Sequence, residues 1–134
     1  MIGRQIDSHA ACVLVSYEYN YGMSGVVKNA FDFAFGPWKE RPIAIVTYGL
    51  DGGKTLSEQF NDTLGKMSLK VSSTPPQFAF VGGLTGADTG PATLTGKLVK
   101  ESLDRCTDKA AEDVMKAIKD VVAKALSLPT GTKA

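Results

Sequence analysis

A chain of 134 residues with 43% hydrophobic content suits one domain, residues 1–134, with a packed core, since domains of this size bury roughly two thirds of the surface their unfolded chains expose. Fifteen basic residues against fourteen acidic ones leave a net charge of +1, and no segment gathers Lys or Arg into a stripe, which argues against a nucleic-acid partner. No apolar run approaches the ~20 residues that cross a bilayer and the N-terminus carries no signal-peptide core, so no membrane partner is expected and the cytoplasm is the expected compartment.

Residues 1–9 are mixed and polar and read as a connection, in which His9, the single histidine, is a solvated residue. Ala10-Ala11-Cys12-Val13-Leu14-Val15 is short, apolar throughout and rich in β-branched residues, the pattern of a strand buried on both faces. The stretch from Val15 to Gly25 holds the densest group of polar and aromatic residues and reads as a binding loop, because open parallel sheets bind ligands between a strand's carboxyl end and the next helix. Ser24 is placed to cap a helix over about 24–35, with Val27, Ala30, Phe31 and Ala34 on one face and Lys28 paired with Asp32 across one turn. Gly36-Pro37 is expected to end it, and its apolar stripe is broad enough for both a sheet and a second subunit.

Pro42 to Tyr48 predicts a second apolar strand, followed by the glycine turn Gly49-Leu50-Asp51-Gly52-Gly53, where backbone N–H groups can approach a ligand. Gly53-Lys54-Thr55 matches the end of a phosphate-binding P-loop, but that pattern needs glycine where Tyr48 stands, so a nucleotide triphosphatase is rejected. Leu56, Phe60, Leu64 and Met67 predict a crossover helix over about 54–69. A turn at 72–76, a third strand at 77–81 and an irregular loop at 82–93 over the ligand side follow. Helices are predicted over about 95–105 and 108–126, the second burying Val114, Ile118, Val121, Val122 and Ala125, before a frayed tail at 128–131. Cys12 and Cys106 lie in settings too different for a disulfide or a metal pair and read as free thiols, so no metal site is expected. Strand and helix alternate, which makes the strands parallel and opens both loops at the same carboxyl edge.

Glu18-Tyr19-Asn20 followed by Ser24-Gly25-Val26-Val27-Lys28-Asn29-Ala30-Phe31-Asp32 resembles the P-E-Y-N, P-G-x-L-K-N-A-x-D signature of the NADPH-dependent FMN reductases, with Tyr17 and Ser24 where that family usually has proline. Arg41 to Gly49, then Gly52-Gly53-Lys54, resembles the family's next strand and its S-Y-G, G-G flavin loop. The two motifs, in the right order and spacing, extend the resemblance over residues of about 5 to 82.

The resemblance implies an α/β fold, flavodoxin-like, three-layer α/β/α with a parallel sheet, here N-terminally truncated with about three strands retained. The family's first strand and its Ser/Arg-rich phosphate loop have no counterpart in this sequence. It further implies FMN as cofactor, NADPH or NADH as electron donor, a small-molecule acceptor such as free FMN, a quinone or an azo compound, and a homodimer in which a second subunit completes the flavin site. By resemblance, Tyr17, Glu18, Tyr19, Asn20, Tyr48, Gly49, Gly52 and Gly53 bind the cofactor. A flavin ring needs an aromatic face and donors at its pyrimidine rim; Tyr17, Tyr19 and Tyr21 can supply the first, Asn20 and the glycine-turn N–H groups the second. No catalytic side chain is required, because the cofactor performs the difficult step. Glu18, a loop carboxylate near a helix start, is expected to bond backbone N–H groups. The alternative is a non-catalytic shortened relative, or the product of an incomplete gene model, acting as an interaction module. In either case the strand at 10–16 is expected to be an open edge that a partner covers, or else the chain is unstable.

Overall fold

A computed structural model describes residues 2–86, 88, 94–105 and 107–128. Its centre is β2 (Pro42–Gly49), which pairs in parallel along its length with β1 (Cys12–Tyr17), in a register that sets Cys12 against Ile43 and Tyr17 against Tyr48. On its other side β2 pairs first with β3 (Lys70–Val71) and then with β4 (Gln77–Ala79), both parallel, so among the described residues the sheet has four strands. Among the described residues β1 pairs only with β2 and forms a bare edge.

One face of this sheet carries the main core. Ile43 and Ile45 of β2 pack there with Leu56, Phe60 and Leu64 of α4 (Lys54–Lys66), Phe31 of α2 (Gly25–Phe33), Trp38 of α3 (Phe35–Trp38) and Ile6 of α1 (Ile2–Asp7). Phe31 anchors the cluster, its ring 4.8 Å from that of Trp38 and 6.2 Å from that of Phe60. The opposite face is covered by the longest helix, α6 (Asp108–Leu126), whose Ala117 and Val121 close on Ala44 of β2. The small side chains at 44 and 117 let helix and strand approach closely, and with helices on both faces the architecture is the three-layer α/β/α sandwich of flavodoxin-like proteins.

Two polar knots dock the last third of the chain. Asp120 Oδ2 accepts hydrogen bonds from Ser72 Oγ, Ser73 N and Lys124 Nζ, each at 2.8–2.9 Å, and Lys124 Nζ also reaches Val71 O at 2.8 Å, which pins the end of α6 beside β3. Asp88, 1% exposed, accepts from Val99 N at 2.5 Å and from Ser102 Oγ; Ser102 lies on α5 (Lys100–Arg105), and its Oγ in turn accepts from Val81 N at 3.0 Å.

Several expectations need correction. β1 is not buried on both faces: Val13 is 48% and Val15 62% exposed, because they share the face of Ala44 and Val46 but α6 covers β2 and stops short of β1. The helix expected to run to Phe35 breaks at Ala34, and Gly36-Pro37 lie inside α3 rather than ending a helix, since proline is tolerated in a first turn. The crossover helix ends at Lys66, not Leu69; Ser68 adopts φ 64° and turns the chain into β3, a strand the sequence reading missed. Of the helix expected over about 95–105, Thr95 is helical but residues 96–99 are not, and α5 begins at Lys100. On α6, Val121 is buried as expected, Val114, Ile118 and Ala125 are half-buried and Val122 is 46% exposed, with Ala110 and Ala117 completing the buried stripe. Cys106, residues 89–93 and the tail beyond 128 lie outside the described residues.

Candidate functional site

The turns that follow β1 and β2 emerge side by side at the carboxyl edge of the sheet. In the first, Tyr19 and Gly22 exchange backbone hydrogen bonds, each 3.0 Å, around Asn20 (φ 47°) and Tyr21 (φ 61°). Two successive left-handed residues make this a tight turn of the hairpin kind, in which Asn is favoured and Tyr is not. Gln59 of α4 braces it, Nε2 donating to Tyr21 O at 3.2 Å; a β-carbon on Gly22 would stand 3.1 Å from Gln59 Oε1. Ser24 then caps α2 as expected, its Oγ accepting from Val27 N at 3.4 Å, and Lys28 meets Asp32 at 2.5 Å.

The glycine turn owes its shape to packing. Gly52 and Gly53 take φ 68° and 70°, and a β-carbon on Gly53 would come within 2.9 Å of the Thr47 side chain. Thr47, fully buried, donates from Oγ1 to Gly52 O at 2.8 Å and so holds the turn against the end of β2. Both glycines therefore serve the left-handed backbone, and Gly53 also the close fit to Thr47. Among the described residues the N–H groups of Leu50, Asp51 and Gly53 have no hydrogen-bond partner, which leaves three donors on this turn.

Glu18 ties the two turns together. Its N–H donates to Tyr48 O at 3.1 Å, and its Oε2 accepts from Leu56 N, in the first turn of α4, at 3.3 Å. The carboxylate thus satisfies an orphan donor and sits at the positive end of the helix dipole, as expected of it. It also places a negative charge where an anion would otherwise dock, so this helix terminus is not an anion site.

An aromatic row crosses the same rim. Tyr19 meets Tyr17 edge-on at 6.3 Å between centroids, Tyr17 lies 6.1 Å from Tyr48, and Tyr48 lies 6.5 Å from Phe80. Phe80 is held in place by its N–H, which donates to Gly49 O at 3.0 Å. Tyr17 and Tyr19 are 44% and 58% exposed, so their rings face open space rather than core. Asn20 stands exposed at the turn's tip. All eight residues expected at the site, Tyr17, Glu18, Tyr19, Asn20, Tyr48, Gly49, Gly52 and Gly53, thus gather at one rim. Thr47, Gln59 and Phe80 join them unforeseen. Only Thr47 had a signal, a polar residue in an otherwise apolar strand.

Exposed rings beside unpaired N–H donors suit a flat, partly polar ligand. No group of three or more metal-ligating side chains occurs among the described residues, and none of their helices is long and apolar enough to cross a membrane. His9 is exposed at the other end of β1, its Nδ1 beside Gln5 O and Ser8 Oγ. Cys12, also at that end, is a free thiol whose pKa is pushed up by burial against the opposing pull of Arg41.

The profile of the NADPH-dependent FMN reductase family matches residues 1–85. The NAD(P)H-dependent FMN reductase ntnL of a Nectria species is 33% identical over 118 residues, 87% of this chain and 57% of that protein. The NAD(P)H-dependent FMN reductase C4B3.06c of Schizosaccharomyces pombe is 32% identical over 74 residues, 55% of this chain and 37% of that one. The chain therefore spans little more than half the length of the first relative and less of the second. Among solved structures, FerB, a flavoenzyme NAD(P)H:(acceptor) oxidoreductase from Paracoccus denitrificans, superposes with a TM-score of 0.59 at 20% identity, over 92% of this chain and 63% of its own, a likeness of fold.

Proposed function

The chain belongs to the NADPH-dependent FMN reductase family, and from that premise we propose that its rim holds the ring of FMN in an oxidoreductase using NADPH or NADH. The observation that carries this reading is the Glu18 bridge, which links the tyrosine turn to both flanks of the glycine turn, at Tyr48 and Leu56. FMN, when bound, supplies the hydride chemistry, passing electrons from the nicotinamide to a small acceptor of the flavin, quinone or azo class. Tyr17, Tyr19 and Tyr48 offer the ring an aromatic bed. The free N–H groups of Leu50, Asp51 and Gly53, with the Asn20 amide, suit the carbonyl and nitrogen rim of its pyrimidine end. Glu18, Gly52 and Gly53 act by fixing the turns. The donor set fits the ring; with Glu18 on the α4 terminus, the two turns offer no cradle for the phosphate.

The reading extends to a cytoplasmic homodimer of one domain per chain. On α2, Val26 and Phe33 are 80% and 78% exposed on the helix that follows the tyrosine turn, a face for a second subunit beside the rim. Titration of the purified chain with FMN, followed by flavin fluorescence, together with NADPH and NADH consumption, tests the proposal. Saturable binding and flavin-dependent consumption are expected, whereas no binding at tens of micromolar sinks it. A second reading, a non-catalytic interaction module, draws on the bare edge of β1, and the same titration separates the two.

A further inference from the structure

The chain has four tyrosines, and all of them, Tyr17, Tyr19, Tyr21 and Tyr48, stand at this one rim. Three belong to the aromatic row, ring against ring; Tyr21 has no ring partner among the described residues and is the most exposed of the exposed three, at 75% against 44% for Tyr17 and 58% for Tyr19. It also sits at φ 61°, where a β-carbon is disfavoured and where Gly or Asn would be at ease. Neither core packing nor backbone preference accounts for a tyrosine there. Strain of this kind gathers at ligand clamps, where the surrounding structure over-determines it. Here Gln59 grips Tyr21 O from α4 at 3.2 Å, and the two Tyr19–Gly22 bonds close the turn beneath it, so the backbone that carries the ring is fixed while the ring stays free.

We infer that Tyr21 is a specificity-determining residue that favours planar aromatic electron acceptors by stacking on them. This deepens the oxidoreductase reading and rests on it. The inner rings suffice for a resident cofactor. The outermost one meets the ligand that comes and goes, and a projecting aromatic wall rewards a flat ring over a compact or charged acceptor. A tyrosine gives that wall at low entropic cost, having only two side-chain torsions to fix.

The test compares the unsubstituted chain with Tyr21→Gly and Tyr21→Phe. Equilibrium dialysis measures retention of a naphthoquinone by the FMN-loaded and the FMN-free chain. Steady-state kinetics with NADPH give kcat/KM for the naphthoquinone and for ferricyanide, which is not planar and cannot stack. Removing the ring in Tyr21→Gly is expected to weaken naphthoquinone binding about 3- to 10-fold and to lower the ratio of the two kcat/KM values by the same factor. The melting temperature should rise, because glycine relieves the left-handed strain. Tyr21→Phe, which keeps the ring, should keep the ratio. Should glycine loosen the turn, Tyr21→Asn removes the ring with a residue equally suited to that backbone. An unchanged binding constant and ratio in the ring-deleted variants overturns the inference while the oxidoreductase reading stands. If the unsubstituted chain binds no FMN and consumes no NADPH, that reading falls, and the FMN-free dialysis still decides on Tyr21: equal naphthoquinone retention with and without the ring overturns it.

Discussion

β1 and β2 lie side by side, run parallel and each carry five hydrophobic residues, yet they live in different surroundings. Along β2, Ile43, Ala44, Ile45, Val46 and Thr47 are at most 4% exposed, whereas in β1 Val13 and Val15 are 48% and 62% exposed. Their inward residues match: Cys12 and Leu14 pack on the same core as their register partners Ile43 and Ile45. What separates them is α6, pinned by the Asp120 knot beside β3 and so laid across β2. A strand's hydrophobicity reports how much apolar surface it carries, while its place in the sheet decides how much of that surface is covered.

The largest effect should come from breaking β2 at its most enclosed point. Ile45 is 1% exposed between the α2–α4 cluster and its sheet neighbours, so Ile45→Ala should cost about 2–5 kcal/mol, read from urea unfolding. A loss below 1 kcal/mol would mean that the two-sided burial of β2 is not what holds the sheet. Next in size is the polar pair that the register sets opposite each other, Ser16 and Thr47. Ser16 Oγ makes only a local contact with Tyr17 O at 3.3 Å, whereas Thr47 Oγ1 reaches across to Gly52 O at 2.8 Å. Thr47→Val keeps the shape and deletes that donor, leaving a buried carbonyl unpaired at about 1–3 kcal/mol. It should weaken FMN binding as well, since the glycine turn would lose its tether, and an unaltered FMN titration would show that the turn holds its shape without Thr47.

A smaller effect, confined to acid, tests why α6 covers one strand and not the other. The Lys124 ammonium, followed by the Ser73 N–H, holds the Asp120 carboxyl down from its ordinary 3.8 to about 2. A folded-state pKa below the unfolded one contributes stability that is fully present above the ordinary carboxylate range and is lost as the pH falls through it toward the folded value. Melting temperature should therefore be indifferent to Asp120 from neutral pH down to about 5 and fall between about 4 and 2. In Asp120→Asn that segment of the decline should flatten. A decline of the same slope in both chains would assign the acid sensitivity to other carboxylates.

How much of this was legible beforehand follows the same division. Local signals were readable: Ser24 as a cap, Lys28 with Asp32, the bounds of α6 at Asp108 and Leu126, and the meeting of Tyr17–Asn20 with Gly49–Gly53 that strand–helix alternation dictates. Coverage was not. Nothing in Val13-Leu14-Val15 distinguishes a strand roofed by a helix from one left bare, because the roof is set by Asp120, more than a hundred residues away. β3 escaped for a related reason: two residues, Lys70 and Val71, have no periodicity of their own and become a strand only because β2 offers them an edge. Tyr21 was readable as an aromatic. Its left-handed backbone, which gives it meaning, arises from the closure of the turn by Gly22 and its bracing by Gln59.

The smallest expected effect is the sharpest on the difference between the two strands. Val15→Thr changes a side chain that is 62% exposed and keeps its β-branched shape, so in an isolated chain it should move stability by no more than about 0.5 kcal/mol, whereas the same exchange at Val46, its register partner, puts a hydroxyl at a site only 4% exposed and should cost several times more. A bare apolar edge invites another strand, and β1 carries no Lys, Pro or bulge to repel one. Sedimentation velocity alongside the unfolding curves therefore separates two states of the same residue. If Val15→Thr is silent and the sedimentation coefficient unchanged, the edge is open in solution. If it costs more than 1 kcal/mol and shifts the coefficient downward, a second chain lies over β1, and the contrast between the strands belongs to the monomer alone.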